Sequence, residues 1–365
     1  MRQRRFSLPL VSPLSTAHGT IDAREGFLLA VGPDTDSTGA RGVGEATPLP
    51  GWTESLSACA RAFKTFKTDG GRLPSATDTP AARHGLSLAF GDLTARETGV
   101  PLAEHLRSEV ADADQGQPHD LPASVPVNAT IGDGPIEETV EAATRAVDDG
   151  YRCLKIKLGA RAIAADVDRL EAVRDAVGPA VDLRGDANGA WSREEALDAL
   201  EKLRHVGLEY VEQPVAAADL TGLAVVCAES EVPVAADEAV ASHGVETVLD
   251  AEAADLLIVK PMALGGPDRA LAVAKRALSA DVDAVVTTTI DGVVARTAAV
   301  HVAAAVETLR DGSPGTRRAA GLATAGLLAA DLAPDPCPVR DGEIVVPSEP
   351  GLAGDVFDGE LVSGR

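Results

Sequence analysis

The chain has 365 residues, 45% hydrophobic and 24% charged, enough for one large barrel plus a smaller domain. Its formal net charge of −23 argues against nucleic acid or an anionic membrane as partner, and the acids are spread rather than gathered into a tail. Acidity on this scale, with arginine far outnumbering lysine, suits a protein kept soluble in concentrated salt.

Residues 1 to about 110 read as a separate α+β unit. FSLPLV and GFLLAVG are strand-like, DTDSTGARG is a turn, and Leu56–Lys67 and Ala81–Thr98 have helical spacing. Arg2, Arg4 and Arg5 precede no apolar signal core, and no run reaches membrane-spanning length, so a cytoplasmic location is expected. Residues 108–123 are polar and Pro-containing, as in a linker. Beyond them, apolar runs alternate with helical patterns: SVPVNATIG, CLKIKLG, VDLRGD, LEYVE, VPVAAD, DLLIVK and DAVVTTTI are the strands, and GLATAG is a weak final one. Helices are expected over Ile136–Asp149, Ile163–Val177, Ser192–His205, Gly266–Ala280 and Val293–Leu309, with shorter ones near 217–229 and 243–251. Such alternation gives a parallel sheet, and this many units close into a barrel. Cys59, Cys153, Cys227 and Cys337 form no CxxC and read as packed thiols.

Lys157, Asp186, Glu212, Asp237 and Lys260 each end one of these strands, at steps of 29, 26, 25 and 23 residues. Parallel strands joined by helices bring such ends to one rim, where barrel enzymes keep their chemistry. A single acid there would serve as a helix cap, but three on consecutive strands repel one another unless a cation lies between them. An all-oxygen set with no histidine disfavours zinc and suits Mg²⁺, with Mn²⁺ as an alternative. Lys155 and Lys157 share a face of their strand, and two neighbouring ammonium groups would lower a lysine pKa toward that of a usable base. Lys260 follows on the strand after Asp237, roughly opposite. Together these parts suit removal of a proton next to a substrate carboxylate, with Lys155 tuning Lys157.

The motifs Lys155-Ile156-Lys157, Asp186-Ala187-Asn188, Glu212-Gln213-Pro214 and Ala236-Asp237-Glu238 resemble those of the enolase superfamily, muconate-lactonizing subgroup. Residues 42–55 (GVGEATPLPGWTES) and 285–295 (VVTTTIDGVVA), with Arg184, are most similar to the o-succinylbenzoate synthase family within it. The resemblance covers nearly the whole chain. It implies an α/β fold, a modified (β/α)7β TIM-type barrel under an N-terminal α+β capping domain. The capping domain would span 1–120 with lid loops near 12–25 and 42–55, the barrel 121–328, and a segment 329–365 would return to the cap.

The implied roles are catalysis by Lys157 and Lys260, metal binding by Asp186, Glu212 and Asp237, and support from Lys155, Arg184, Asn188 and Glu238. The hydroxyls of Thr287, Thr288 and Thr289, or amides near them, would meet a carboxylate of the small-molecule substrate, although β-branched residues also belong in strands. Arg184 serves equally well as an internal ion partner. His18, in the lid, is a further candidate for substrate contact; surface or helix positions are expected for most other histidines. The implied activity is Mg²⁺-dependent dehydration of a cyclohexadiene carboxylate. Racemisation of N-succinylamino acids or epimerisation of dipeptides on the same scaffold is the nearest rival, a Schiff-base aldolase using Lys157 or Lys260 a rival by mechanism, and a non-catalytic binding barrel the rival from another class.

Overall fold

Alternating burial explains the first strand, with Phe6 and Leu8 turned inward and Ser7 and Pro9 outward. In this computed structural model, which describes residues 1–16, 19–33, 39–111, 120–310 and 317–359, β1 (Arg2–Thr16) pairs antiparallel with β2 (Gly19–Val31), and β2 with β3 (Gly42–Ala46). Helices α1 (Leu56–Thr68), α2 (Pro80–Thr98) and α3 (Leu102–Val110) complete the capping unit.

Three readings change here. The segment 12–25 is strand over most of its length rather than a loop. Gly42–Ala46 is a fully buried strand, although its glycines resemble a turn. The glycines answer a packing demand: a Cβ on Gly42 would run into the Ala89 carbonyl of α2, and one on Gly44 into the Gly85 carbonyl. Residues 108–110 belong to α3 rather than to a linker. His18, residues 34–38 of the expected turn and residues 112–119 of the expected linker lie outside the described residues.

β4 (Ser124–Pro126) leads into the barrel. There follow β5 (Ala129–Ile131), α4 (Ile136–Asp148), β6 (Cys153–Lys157), α5 (Ile163–Val177), β7 (Asp182–Asp186) and α6 (Arg193–Leu203). Next come β8 (Leu208–Glu212), α7 (Leu220–Glu229), β9 (Val234–Ala236), α8 (Glu238–His243), α9 (Val245–Asp250) and β10 (Leu256–Val259). The series ends with α10 (Pro261–Leu264), α11 (Pro267–Leu278), β11 (Asp283–Val286) and α12 (Val293–Glu307). Strands β5 to β11 form one parallel sheet in sequence order. The weak final strand is shorter than expected. Ala320 bridges Val127 and Gly321 bridges Thr287, and these two residues form the last stave. The chain then adds β12 (Val339–Arg340), which pairs with β13 (Glu343–Val345), and β13 pairs in turn with β4. Leu328 bridges Leu10 of the cap, and Gly351 bridges Pro101.

The strand faces divide cleanly. Leu154 and Ile156 of β6 pack outward with Ala143, Leu170 and Val173 of the helical shell. Tyr210, Ala235, Ile258 and Val285 form a small core inside the barrel. Continuing those inward series by two residues gives Glu212, Asp237, Lys260 and Thr287, which fixes what stands at the rim.

Candidate active site

Register assembles the site. Lys157 is the direct neighbour of Asp186, and Asp186 of Glu212. Asp237 and Lys260 stand one residue past β9 and β10, at the entries to α8 and α10. The three carboxylates are 1–2% exposed. The Lys155 ammonium bonds both oxygens of Glu212 at 2.7 Å and lies 2.8 Å from Asp186 Oδ2. Lys157 donates to Asp186 Oδ2 at 2.6 Å and to Asn188 Oδ1 at 2.7 Å, and Asn188 donates to Glu238 at 3.0 Å. Lys260 donates to Asp237 Oδ2 at 2.5 Å.

Burial opposes ionisation of all three acids, but their neighbours differ. Lys155 and Lys157 outweigh burial at Asp186 and hold its carboxyl below the usual range. At Glu212 burial, with repulsion from Asp186, raises the pKa despite Lys155. Burial and Glu238 likewise raise Asp237 against the pull of Lys260. The expected lowering of lysine basicity does not occur at Lys155. Burial opposes its charge, but Asp186 and Glu212 outweigh that and hold it well above the ordinary value.

Among the described residues no three His, Cys, Asp or Glu side chains are gathered closely enough to hold an ion as they stand. Lysine ammonium groups lie against the acids instead. The donor set nevertheless fits a hard divalent cation. Asp237 Oδ1 is buried without a hydrogen-bond partner among the described residues, and Glu212 and Asp237 carry raised pKa values that added positive charge would relieve.

Gln213 holds part of this frame. It is fully buried, and its Oε1 accepts from Asp237 N and Ala239 N, both at 3.0 Å, so it fixes the turn that aims Asp237. Gln213 and Asn188 both have positive φ, 41° and 46°, as strained backbone beside a site often does.

Of the other candidates, Thr287 stands at the rim and Arg184 does not. Arg184 lies one layer below the rim, beside Lys155 and Tyr210 in register. It donates to Glu209 at 2.6 Å and to Ala319 O at 2.7 Å and stacks on Tyr210, which makes it an internal ion partner. The threonine hydroxyls are engaged within the protein: Thr287 with Gly321 O at 2.9 Å, Thr288 with Thr324 at 3.3 Å and Thr289 with Asp291 at 2.6 Å. His84 of α2 and His301 of α12 occupy helix positions, as expected, and both are buried. All four cysteines are free, and burial raises their thiol pKa values.

Several contributors escape sequence reasoning. The Trp52 ring covers the Lys260 ammonium at 3.5 Å from its centroid, a contact between residues 208 positions apart. Glu45 of β3 accepts from Gly292 N at 2.7 Å and Ala295 N at 2.9 Å, so the cap domain closes the N-terminus of barrel helix α12. Burial pushes that carboxyl up to about 7, with Asp291 adding to it. Ile290 has a φ of 60°, strained for a β-branched residue by about 1–3 kcal/mol.

A family model described as "Enolase C-terminal domain-like" matches residues 138–358. The chain belongs to the enolase superfamily. It is 39% identical over 227 residues to o-succinylbenzoate synthase of Thermobifida fusca, covering 61% of this chain and 67% of that protein. It is 31% identical over 320 residues to L-Ala-D/L-Glu epimerase of Bacillus subtilis, covering 82% and 83%. The substrate-liganded structure of that epimerase superposes with a TM-score of 0.81 at 28% identity, covering 96% of this chain and 97% of that one. An α/β barrel beneath an N-terminal capping domain is thus the fold of this enolase superfamily enzyme. Among the described residues no helix is long and apolar enough to cross a membrane.

Proposed function

We propose that the chain is a cytoplasmic o-succinylbenzoate synthase. It would dehydrate 2-succinyl-6-hydroxy-2,4-cyclohexadiene-1-carboxylate, a step of menaquinone biosynthesis. The observation that carries this reading is the inequality of the two lysines. Each is bound to an acid, Lys157 to Asp186 and Lys260 to Asp237, but the Lys157 side chain is 36% exposed, whereas Lys260 is 11% exposed and covered by Trp52. An open amine on one flank and a covered one on the other suits a reaction needing a mobile proton on a single face. Lys157 removes the proton beside the carboxylate and returns it to the departing hydroxyl. Lys260 stays in place as a fixed positive charge opposite. Asp186, Glu212 and Asp237 would hold Mg²⁺, which when bound supplies a Lewis acid for the substrate carboxylate as negative charge builds on it. Ring aromatisation makes loss of the hydroxyl downhill.

Racemisation or epimerisation is the second reading. It is favoured by the presence of an amine on each flank and by likeness to the epimerase over most of the chain. Purified protein with Mg²⁺ and the cyclohexadiene substrate, followed by ultraviolet absorbance, tests the first reading. A parallel run on N-succinylamino acids and dipeptides in D₂O tests the second. Deuterium exchange at the α-carbon far faster than dehydration would overturn the assignment.

A further inference from the structure

Arg24 lies on β2 of the capping domain, with its side chain 3% exposed. Its guanidinium donates from Nε to Ile290 O at 3.1 Å, from Nη1 to Pro48 O at 3.3 Å and from Nη2 to Thr47 O at 2.9 Å. Asp291 Oδ1 lies 4.0 Å from Nη2. The first carbonyl belongs to the turn that leaves β11 at the barrel rim. The other two belong to the loop that carries Trp52 over Lys260.

We propose that Arg24 is a positioning residue for substrate selection, locking these two overhanging segments to each other. The proposal rests on the reading of the rim as a catalytic site. Carbonyls in irregular backbone have no ladder partner, and a planar fork with five N–H groups can satisfy three of them at once. A lysine, with one nitrogen, cannot span that set. Burying the charge is costly, so a purely space-filling role would be served better by an apolar residue. The turn it grips is the strained one: Ile290 sits in the left-handed region, and a conformation of that kind persists only where its surroundings hold it. The Trp52 loop is held from its other side as well, where Thr47 N lies 3.5 Å from the Met262 sulfur of α10, two residues after Lys260. Arg24 therefore sets the height of Trp52 above Lys260 and the shape of the β11 turn through one side chain that faces neither water nor the rim acids.

The test uses Trp52 as reporter, in a Trp191→Phe background that removes the other tryptophan. Arg24→Met and Arg24→Lys are compared with that parent by acrylamide quenching, circular dichroism and steady-state kinetics. The expected result is a several-fold rise in Trp52 quenching in both variants. KM should rise roughly tenfold in the methionine variant, with kcat less affected and lysine recovering part of the loss. Parent-like quenching with an unchanged KM in either folded variant would overturn the proposal. If the methionine variant does not fold, the lysine variant decides. If the parent turns over neither substrate class, the proposed function fails, and the quenching comparison alone still decides the role of Arg24.

Discussion

Single side chains divide the site into an open flank and a covered one. Lys157 is held by Asp186 and Asn188 yet reaches solvent, which suits it to the proton-carrying role proposed above. Lys157→Ala should lower the dehydration rate about 10³-fold with the fold intact by circular dichroism; an unaltered rate would remove Lys157 from the proton transfer. Asp237 Oδ1, buried without a hydrogen-bond partner among the described residues, is an atom that would gain from a cation. Chelation by EDTA should therefore abolish turnover and Mg²⁺ restore it. Asp237→Asn should weaken Mn²⁺ binding, measured by paramagnetic resonance, by at least tenfold; equal binding in both proteins would remove Asp237 from the ligand set. The rim residues were legible in the sequence because each strand delivers one of them at nearly constant spacing. Trp52, Arg24 and Gln213 were not. Trp52 and Arg24 act through contacts between distant segments, and a glutamine beside a motif acid gives no local hint that its amide orients the neighbouring turn.

At the level of elements, glutamates brought in from elsewhere cap two helix starts. Glu54 accepts from Ala81 N at 3.0 Å and Ala82 N at 2.8 Å, while Thr79, at the cap position of α2, makes no side-chain cap bond. Glu45 does the same for α12 across the domain boundary. The stretch 42–55 thus reads as a clamp: two glycines seat β3 on α2, two glutamates close helix ends, and Trp52 reaches the rim. Glu54→Ala should cost about 1–3 kcal/mol, because two buried amides lose their partner, and should be visible as a lower denaturant midpoint. A midpoint equal to the parent's would show that the cap is dispensable. Sequence periodicity recovered most of the barrel helices within a residue or two. It missed β3, whose glycines imitate a turn, and α3, whose nine residues are too few to declare a pattern.

For the whole molecule, two conditions should govern stability. His301 joins three parts of the fold: its Nδ1 accepts from Ala103 N at 3.3 Å, and its Nε2 donates to Leu352 O at 2.7 Å. Burial lowers its pKa to about 4, from the ordinary 6.5. A depressed histidine pKa means that the unfolded chain takes up the proton first. Its contribution is full above pH 6.5 and is lost as pH falls through 4, a change of about 3 kcal/mol. His301→Leu should be less stable at neutral pH and should flatten the stability profile over that window; an undiminished slope would assign the acid sensitivity to other groups. The net charge of −23 predicts a melting temperature that climbs from dilute buffer into molar KCl as self-repulsion is screened. Full stability in dilute buffer would count against salt adaptation. The two-residue last stave has a further consequence for biogenesis. Val127 must wait for Ala320, and Leu10 for Leu328, before their bridges can form. At ribosomal speed the first of those gaps corresponds to about 10–40 s. Throughout that interval the emerging polypeptide would display raw sheet margins on either side of a half-made cylinder, a period when chaperone protection would matter most.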